Sequence, residues 1–208
     1  MKTTDRRKLI SPPIRFWPSG IWLLASALCL LPAGCSLPEA KPDTARYYVL
    51  PTPAGPASAN TPALRIGLYP VRLPDYLHLP PMVVRESASE VRYHEGERWA
   101  EPLDAGLARV LRAKLAASAQ IVTYPFRPDV TRDCDVRVQV LACEGAADGA
   151  VNFAATFEIS TPGGAATQHA FTAPPAKWDG HSYAQLAGLL GADAVQLGDA
   201  IAAALPAK

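Results

Sequence analysis

The stretch RWAEPLDAGLARVL, residues 98 to 111, sets Glu101 and Asp104 between Arg98 and Arg109, with Trp99 beside them. Carboxylates flanked by guanidinium groups are raw material for acid–base chemistry, because neighbouring charge and burial can push two carboxyl pKa values apart. Just upstream, His94, Glu95 and Glu97 could join Glu101 in such a group. The same residues also suit the start of a helix. Pro102 fits a first helical turn, where its missing N–H costs nothing. Leu103, Leu107, Val110, Leu111 and Leu115 recur at the spacing of one helix face. Asp104 precedes Arg109, Arg112 and Lys114, the order that complements the helix dipole. Helix physics alone accounts for where the acids stand.

Other chemistry is sparse. The sequence has no GxSxG elbow, HExxH pair, Walker loop or Gly-rich dinucleotide fingerprint. His78, His94, His169 and His181 are scattered without ligand spacing. Cys134 and Cys143 bound CDVRVQVLAC, which alternates like a strand with Val136, Val138, Val140 and Ala142 on one face. Nine steps at ~3.3 Å would hold the two sulfurs roughly 30 Å apart, too far for a disulfide or a shared metal. We therefore expect no catalytic residue, no cofactor and no metal. The chain carries 20 basic and 19 acidic residues without a basic run, which argues against nucleic acid as a partner.

The elements that would position these groups follow an export signal. Lys2, Arg6, Arg7, Lys8 and Arg15 precede the apolar run GIWLLASALCLL and the small residues PAGCS, the layout of a cleaved signal peptide. The alternatives are an uncleaved anchor and a buried helix. Ala33-Gly34-Cys35 resembles the lipobox of bacterial lipoproteins, although Pro32 stands where that motif prefers Leu. The resemblance makes Cys35 the lipidated first residue of the mature chain. Ser36 is not the Asp that marks inner-membrane retention, which implies the outer membrane. Loss of residues 1–34 removes five basic residues and one acid, leaving 15 against 18. Residues 35–45, Pro-rich and aperiodic, read as a tether.

Residues 46–205 then read as one α/β domain. RYYVL and LRIGLYPVRL are strands, separated by the Pro-rich loop PTPAGPASANTPA. MVVRES and EVRYHEGER form a hairpin. The opening stretch is a helix, QIVTYPF a strand, and CDVRVQVLACEG, AVNFAATFEIS and QHAFTAP an antiparallel meander. A last helix runs from a capping box at Ser182 and Gln185, with Tyr183, Leu186, Leu190, Ala194, Leu197 and Ile201 in one stripe. Its Gly188 and Gly191 suit packing on a sheet better than a membrane or dimer face. We count seven or eight strands and two long helices. Between them, LPDYLHLPP places Tyr76, Leu77 and Leu79 among prolines, with Met82 close behind. Proline bars a central strand, so these side chains form either a lid on the core or a contact surface for a partner.

Together, YYVLP, IGLYPVRLPDYLHLPPMVVR, RYHEGERWAEPLDAGLARVL and the terminal SYAQLAGLLGADAVQLGDAIAAAL resemble the PqiC family (PqiC/YmbA-like), also called ABC-type transport auxiliary lipoproteins. Leu79 stands where the family often has Arg. The resemblance implies a mixed, largely antiparallel sheet flanked by two long helices, similar to the TolB N-terminal domain and anticodon-binding-domain-like folds. It also implies a non-enzymatic lipoprotein on the periplasmic face of the outer membrane. Such a protein would work with a PqiB-like MCE-domain protein and an inner-membrane component in lipid transport or membrane integrity, and it can assemble into a homo-oligomeric ring. In that light Arg98, Trp99, Glu101, Pro102 and Asp104 are a structural signature. Trp99 would pack under the helix start, Glu101 and Asp104 would take up free N–H groups, and Arg98 would pair with one of them. The alternative function is a periplasmic lipoprotein that holds a lipid or small ligand in its own pocket.

Overall fold

A computed structural model describes residues 43–53, 64–164 and 166–206. The export signal, Cys35, most of the tether and most of the Pro-rich loop lie outside the described residues. The domain spans Asp43–Lys208. Its elements are β1 (Arg46–Tyr48), β2 (Arg65–Leu68), a 3-10 turn (Asp75–Leu77), β3 (Pro81–Arg85), β4 (Val91–Trp99), α1 (Leu103–Leu115), β5 (Gln120–Thr123), β6 (Cys134–Ala146), β7 (Ala150–Ser160), β8 (Ala166–Thr172), β9 (Ala176–Lys177) and α2 (Tyr183–Ala204).

The nine strands make one sheet around β6. One edge of β6 pairs antiparallel with β7, from Asp135 opposite Ser160 to Gly145 opposite Val151. The other edge is shared. β2 joins it in parallel at Ile66 and Cys134, Arg72 bridges to Gln139, and β3 joins in parallel at Val84 and Gly145. Outward from there, β5 runs parallel to β2, β4 pairs antiparallel with β3, and β1 runs parallel to β4. On the far side β8 and the two-residue β9, which no sequence pattern announces, both pair with β7. The longest ladders are antiparallel, in a mixed sheet with two helices.

Both helices follow from their apolar stripes. Leu103, Leu107, Val110, Leu111 and Leu115 of α1 are all buried, as are Tyr183, Leu186, Leu190, Ala194, Leu197 and Ile201 of α2. Each fully buried leucine of this kind contributes about 1.5–3 kcal/mol. They meet Val136, Val138 and Val140 of β6 and Val151, Phe153, Ala155, Phe157 and Ile159 of β7, all from one face of the sheet. The alternation of β6 breaks once. Its register shifts between Val140 and Ala142, so Leu141 is exposed and Cys143, not Ala142, turns to the core. That bulge corrects the face expected from the sequence, because one extra residue reverses the phase of everything after it. Cys134 and Cys143 are buried free thiols, and burial pushes both up.

The start of α2 keeps half of the expected capping box. The Ser182 hydroxyl accepts from the Gln185 N–H at 3.2 Å, but the Gln185 side chain accepts from Asp179 N–H instead of closing on Ser182. Asp179 takes the Ser182 and His181 N–H groups, which hold its carboxyl below the usual range. By length and composition α2 could cross a membrane, yet half of that stretch is buried within the domain.

The two glycines of α2 differ in surroundings. A Cβ on Gly191 would stand 2.6 Å from Cδ of Pro51, whereas one on Gly188 would meet nothing within 4 Å. Gly188→Ala should therefore raise stability by about 0.5–1 kcal/mol through backbone entropy. Gly191→Ala should lose about 1–3 kcal/mol, because a proline ring cannot fold away. Urea melts of the pair give the comparison, and equal shifts would contradict the packing of Pro51 on α2.

Candidate functional site

The acids and bases of the opening stretch face separate partners. Arg98 donates to the Glu95 carbonyl at 2.8 Å and lies 3.5 Å from its carboxylate, not beside Glu101 or Asp104. Glu97 takes Arg46 and, at 2.6 Å, the Tyr48 hydroxyl. Burial works against the Glu97 carboxylate, but those two hydrogen bonds outweigh it and hold the carboxyl below its usual range. His94 packs against the Tyr183 ring at 5.1 Å, and burial lowers its pKa.

Glu101 belongs to a clasp. Arg109, two turns into α1, donates to Glu101, to the Leu50 carbonyl at 3.0 Å and to Thr52. No side chain caps α1: Pro102 occupies the cap position, so neither Glu101 nor Asp104 takes up the free N–H groups. The Glu101 carboxylate is instead turned to the Arg109 guanidinium, in a charge-assisted bond. Gly106 makes room for it, since a Cβ there would stand 3.2 Å from the Glu101 carboxylate. Trp99, only 8% exposed, ends β4 under this junction. Its N–H donates to Pro80 and the next one, from Ala100, to Tyr48, at 2.9 and 2.8 Å. The stretch locks the exit of β1 and the Pro80 segment to α1.

The proline-rich segment turns mostly inward. Leu77 and Met82 are buried in the core, so neither is available to a partner. Tyr76 is half-buried and its hydroxyl donates to Glu144 at 2.6 Å, while Arg85 donates to the other Glu144 oxygen. Burial and the Glu144 charge push the Tyr76 hydroxyl up. No sequence signal marks this group, because only the bulge after Val140 turns Cys143 to the core and Glu144 to the opposite face. The segment folds over the face of β6 that the helices leave open, which buries that end of the strand on both sides. Leu79 alone of the four candidates is exposed, at 52%.

Leu79 has apolar company. Tyr47 and Val49 are 55% and 53% exposed. Tyr47 lies opposite Arg98, and Pro81 lies opposite Arg98 from the other side. Continuing both registers sets Val49, Ala100 and Leu79 abreast, an arrangement tied by the Ala100-to-Tyr48 and Trp99-to-Pro80 bonds.

A second feature lies where the sheet has no helix over it. Tyr69, Tyr124, Arg72, Gln139, Thr156 and Gln168 line an open-sided groove of about 450 Å³. Tyr69, Tyr124 and Phe126 pack ring on ring with centroids 4.8–5.7 Å apart. Arg137 lies 4.3 Å over Tyr69 and pairs with Glu158. Among the described residues there is no group of three His, Cys, Asp or Glu side chains able to hold a metal.

One buried acid stands apart. Asp193 on α2 is 4% exposed and one of its oxygens has no hydrogen-bond partner. Burial pushes its carboxyl up to about 6.

Residues 48–202 match the family described as ABC-type transport auxiliary lipoprotein component. A crystal structure of an uncharacterized protein superposes with a TM-score of 0.64 at 23% identity, covering 77% of this chain and 97% of that one. The crystal structure of protein XCC0632 from Xanthomonas campestris, of family DUF330, gives a TM-score of 0.59 at 15% identity, covering 76% and 93%. At such identities the likeness shows the fold. No curated protein matches.

Trp99→Ala should cost ~3–5 kcal/mol in urea melts, the range for removing a buried indole, and a loss under ~1 kcal/mol would place the ring at the surface. For Asp193 the folded pKa lies above the ~3.9 of an unfolded chain. The folded state therefore binds the proton more tightly, and stability falls as pH rises from about 4 to 6. Asp193→Asn should remove this loss and gain about 2–3 kcal/mol at pH 7. Melts of both proteins at pH 4.5 and 7.5 read the effect, which is refuted if the difference between them stays constant.

Proposed function

Because the chain belongs to the family of ABC-type transport auxiliary lipoprotein components, we propose that it is a non-enzymatic accessory of an intermembrane lipid transport or membrane-integrity system. In this reading Cys35 carries the lipid, residues 35–45 form the tether, and the domain stands at the periplasmic face of the outer membrane. Its partners are a PqiB-like MCE-domain protein and the inner-membrane component that goes with it. The observation that carries the proposal is the family match from residue 48 to 202, nearly the whole described domain.

The geometry agrees with an accessory role. An acid–base enzyme needs its carboxylates to converge on one substrate atom, whereas Glu95, Glu97, Glu101 and Glu144 each hold a different arginine. Such pairs tie segments together. A ligand-holding lipoprotein, the second reading, finds support in Arg72, which forms no ion pair among the described residues and projects at the groove. The groove is open-sided, however, and an acyl chain in it would remain wet. It suits a polar, oxyanion-bearing group better than the body of a lipid.

Anchoring is the first point to test. Cys35→Ala should shift the protein from the membrane fraction to the soluble periplasmic fraction and abolish labelling by radioactive palmitate. Retention in the membrane with labelling intact would sink the assignment of Cys35.

A further inference from the structure

The corner formed by Tyr47, Val49 and Leu79 carries three of the five large apolar side chains that the described domain exposes. It also lies where the tether enters. We propose that this corner rests against the bilayer that holds the lipid anchor, so that the domain is oriented on the membrane and does not merely hang from it. The proposal deepens the lipoprotein reading and rests on lipidation of Cys35.

Three observations carry it. First, reach: eight residue steps separate Cys35 from Asp43, which at full extension is ~26–29 Å. Tyr47 follows four residues later. A contact at the end of so short a tether is made at high effective concentration, so a small apolar patch suffices. Second, charge: the ionic groups of the corner are already engaged. Arg46 is paired with Glu97 and Arg98 with Glu95, and the Tyr47 hydroxyl donates to Asp43 at 2.8 Å. Bringing the corner to a headgroup layer strands no unpaired arginine, and a tyrosine with an apolar ring and polar tip suits that layer.

Third, size argues against another protein as the occupant. Three half-exposed side chains offer on the order of 300 Å², against the ~800 Å² per partner that a standard protein interface buries. Among the described residues β1 pairs only with β4, and at three residues it gives little ladder for a second copy to extend. Tyr124 and Leu141, the other exposed apolar side chains, do not share this corner. Tyr124 packs in the ring cluster of the groove, and Leu141 stands on the β6 bulge.

The test uses the full lipidated protein in vesicles of phosphatidylethanolamine and phosphatidylglycerol. Val49→Cys and Leu79→Cys each receive a nitroxide, with Gln168→Cys on β8, across the sheet from β1, as reference. The native Cys134 and Cys143 are buried and stay unlabelled. Collision with oxygen is compared with collision with a water-soluble nickel chelate. The expected result is an oxygen-to-nickel ratio at positions 49 and 79 several-fold above that at 168. Ratios equal to the reference, with the protein retained on the vesicles, overturn the proposal alone. Labels shielded from both reagents and broadened by a neighbouring spin overturn it in favour of a second copy. Failure of the unlabelled protein to stay with the vesicles removes the anchor itself, and the orientation with it.

Discussion

The domain depends on β6 having both its edges and both its faces satisfied. Thirteen residues of strand expose a row of peptide groups on each side, and a buried peptide group without a partner costs about as much as a lost hydrogen bond. β7 covers one edge throughout. No single strand covers the other: β2 takes its start and β3 its end. The chain between them, rich in prolines, fills the gap with individual bonds, Tyr69 N–H to Val136, Arg72 N–H to Val138 and Val140 N–H back to Arg72. Proline is tolerated there because only some positions need to donate.

The same arrangement explains the buried Glu144. Where the proline segment folds over the open face, β6 ceases to have a wet side. An acid at that end needs a counter-charge and a hydrogen-bond donor, which Arg85 and the Tyr76 hydroxyl respectively supply. Breaking such a group by removing one partner is costly, since a charge is left without compensation. The segment is thereby pinned, and Pro80 and Leu79 are held at the surface beside the end of β4, whose other edge carries β1. A partly buried ion pair thus helps to set the position of an exposed apolar side chain at the corner.

The clasp around Arg109 does for α1 what Glu144 does for the proline segment. It ties Glu101 and the chain leaving β1, at Leu50 and Thr52, to the second turn of the helix. With Pro51 pressed on Gly191 of α2, the first residues of the domain are fixed to both helices.

Local periodicity settled much of this from the sequence alone. The stripes of α1 and α2, the alternation of β7, the hairpin of β3 and β4 and the Ser182 cap are properties of neighbouring residues, and backbone geometry decides which side each one faces. Trp99 beside a helix start was legible for the same reason. The tertiary structure alone decided the parallel entry of β2 and β3 on one edge of β6, the bulge at Leu141, the inward turn of Leu77 and Met82, and the partners of the charged residues. Arg109 reaches Glu101 and Leu50, and Arg98 returns to Glu95, because competition among many possible ion pairs is won by whichever groups the packed chain brings together. That outcome depends on segments far apart in sequence, and no spacing within one of them encodes it.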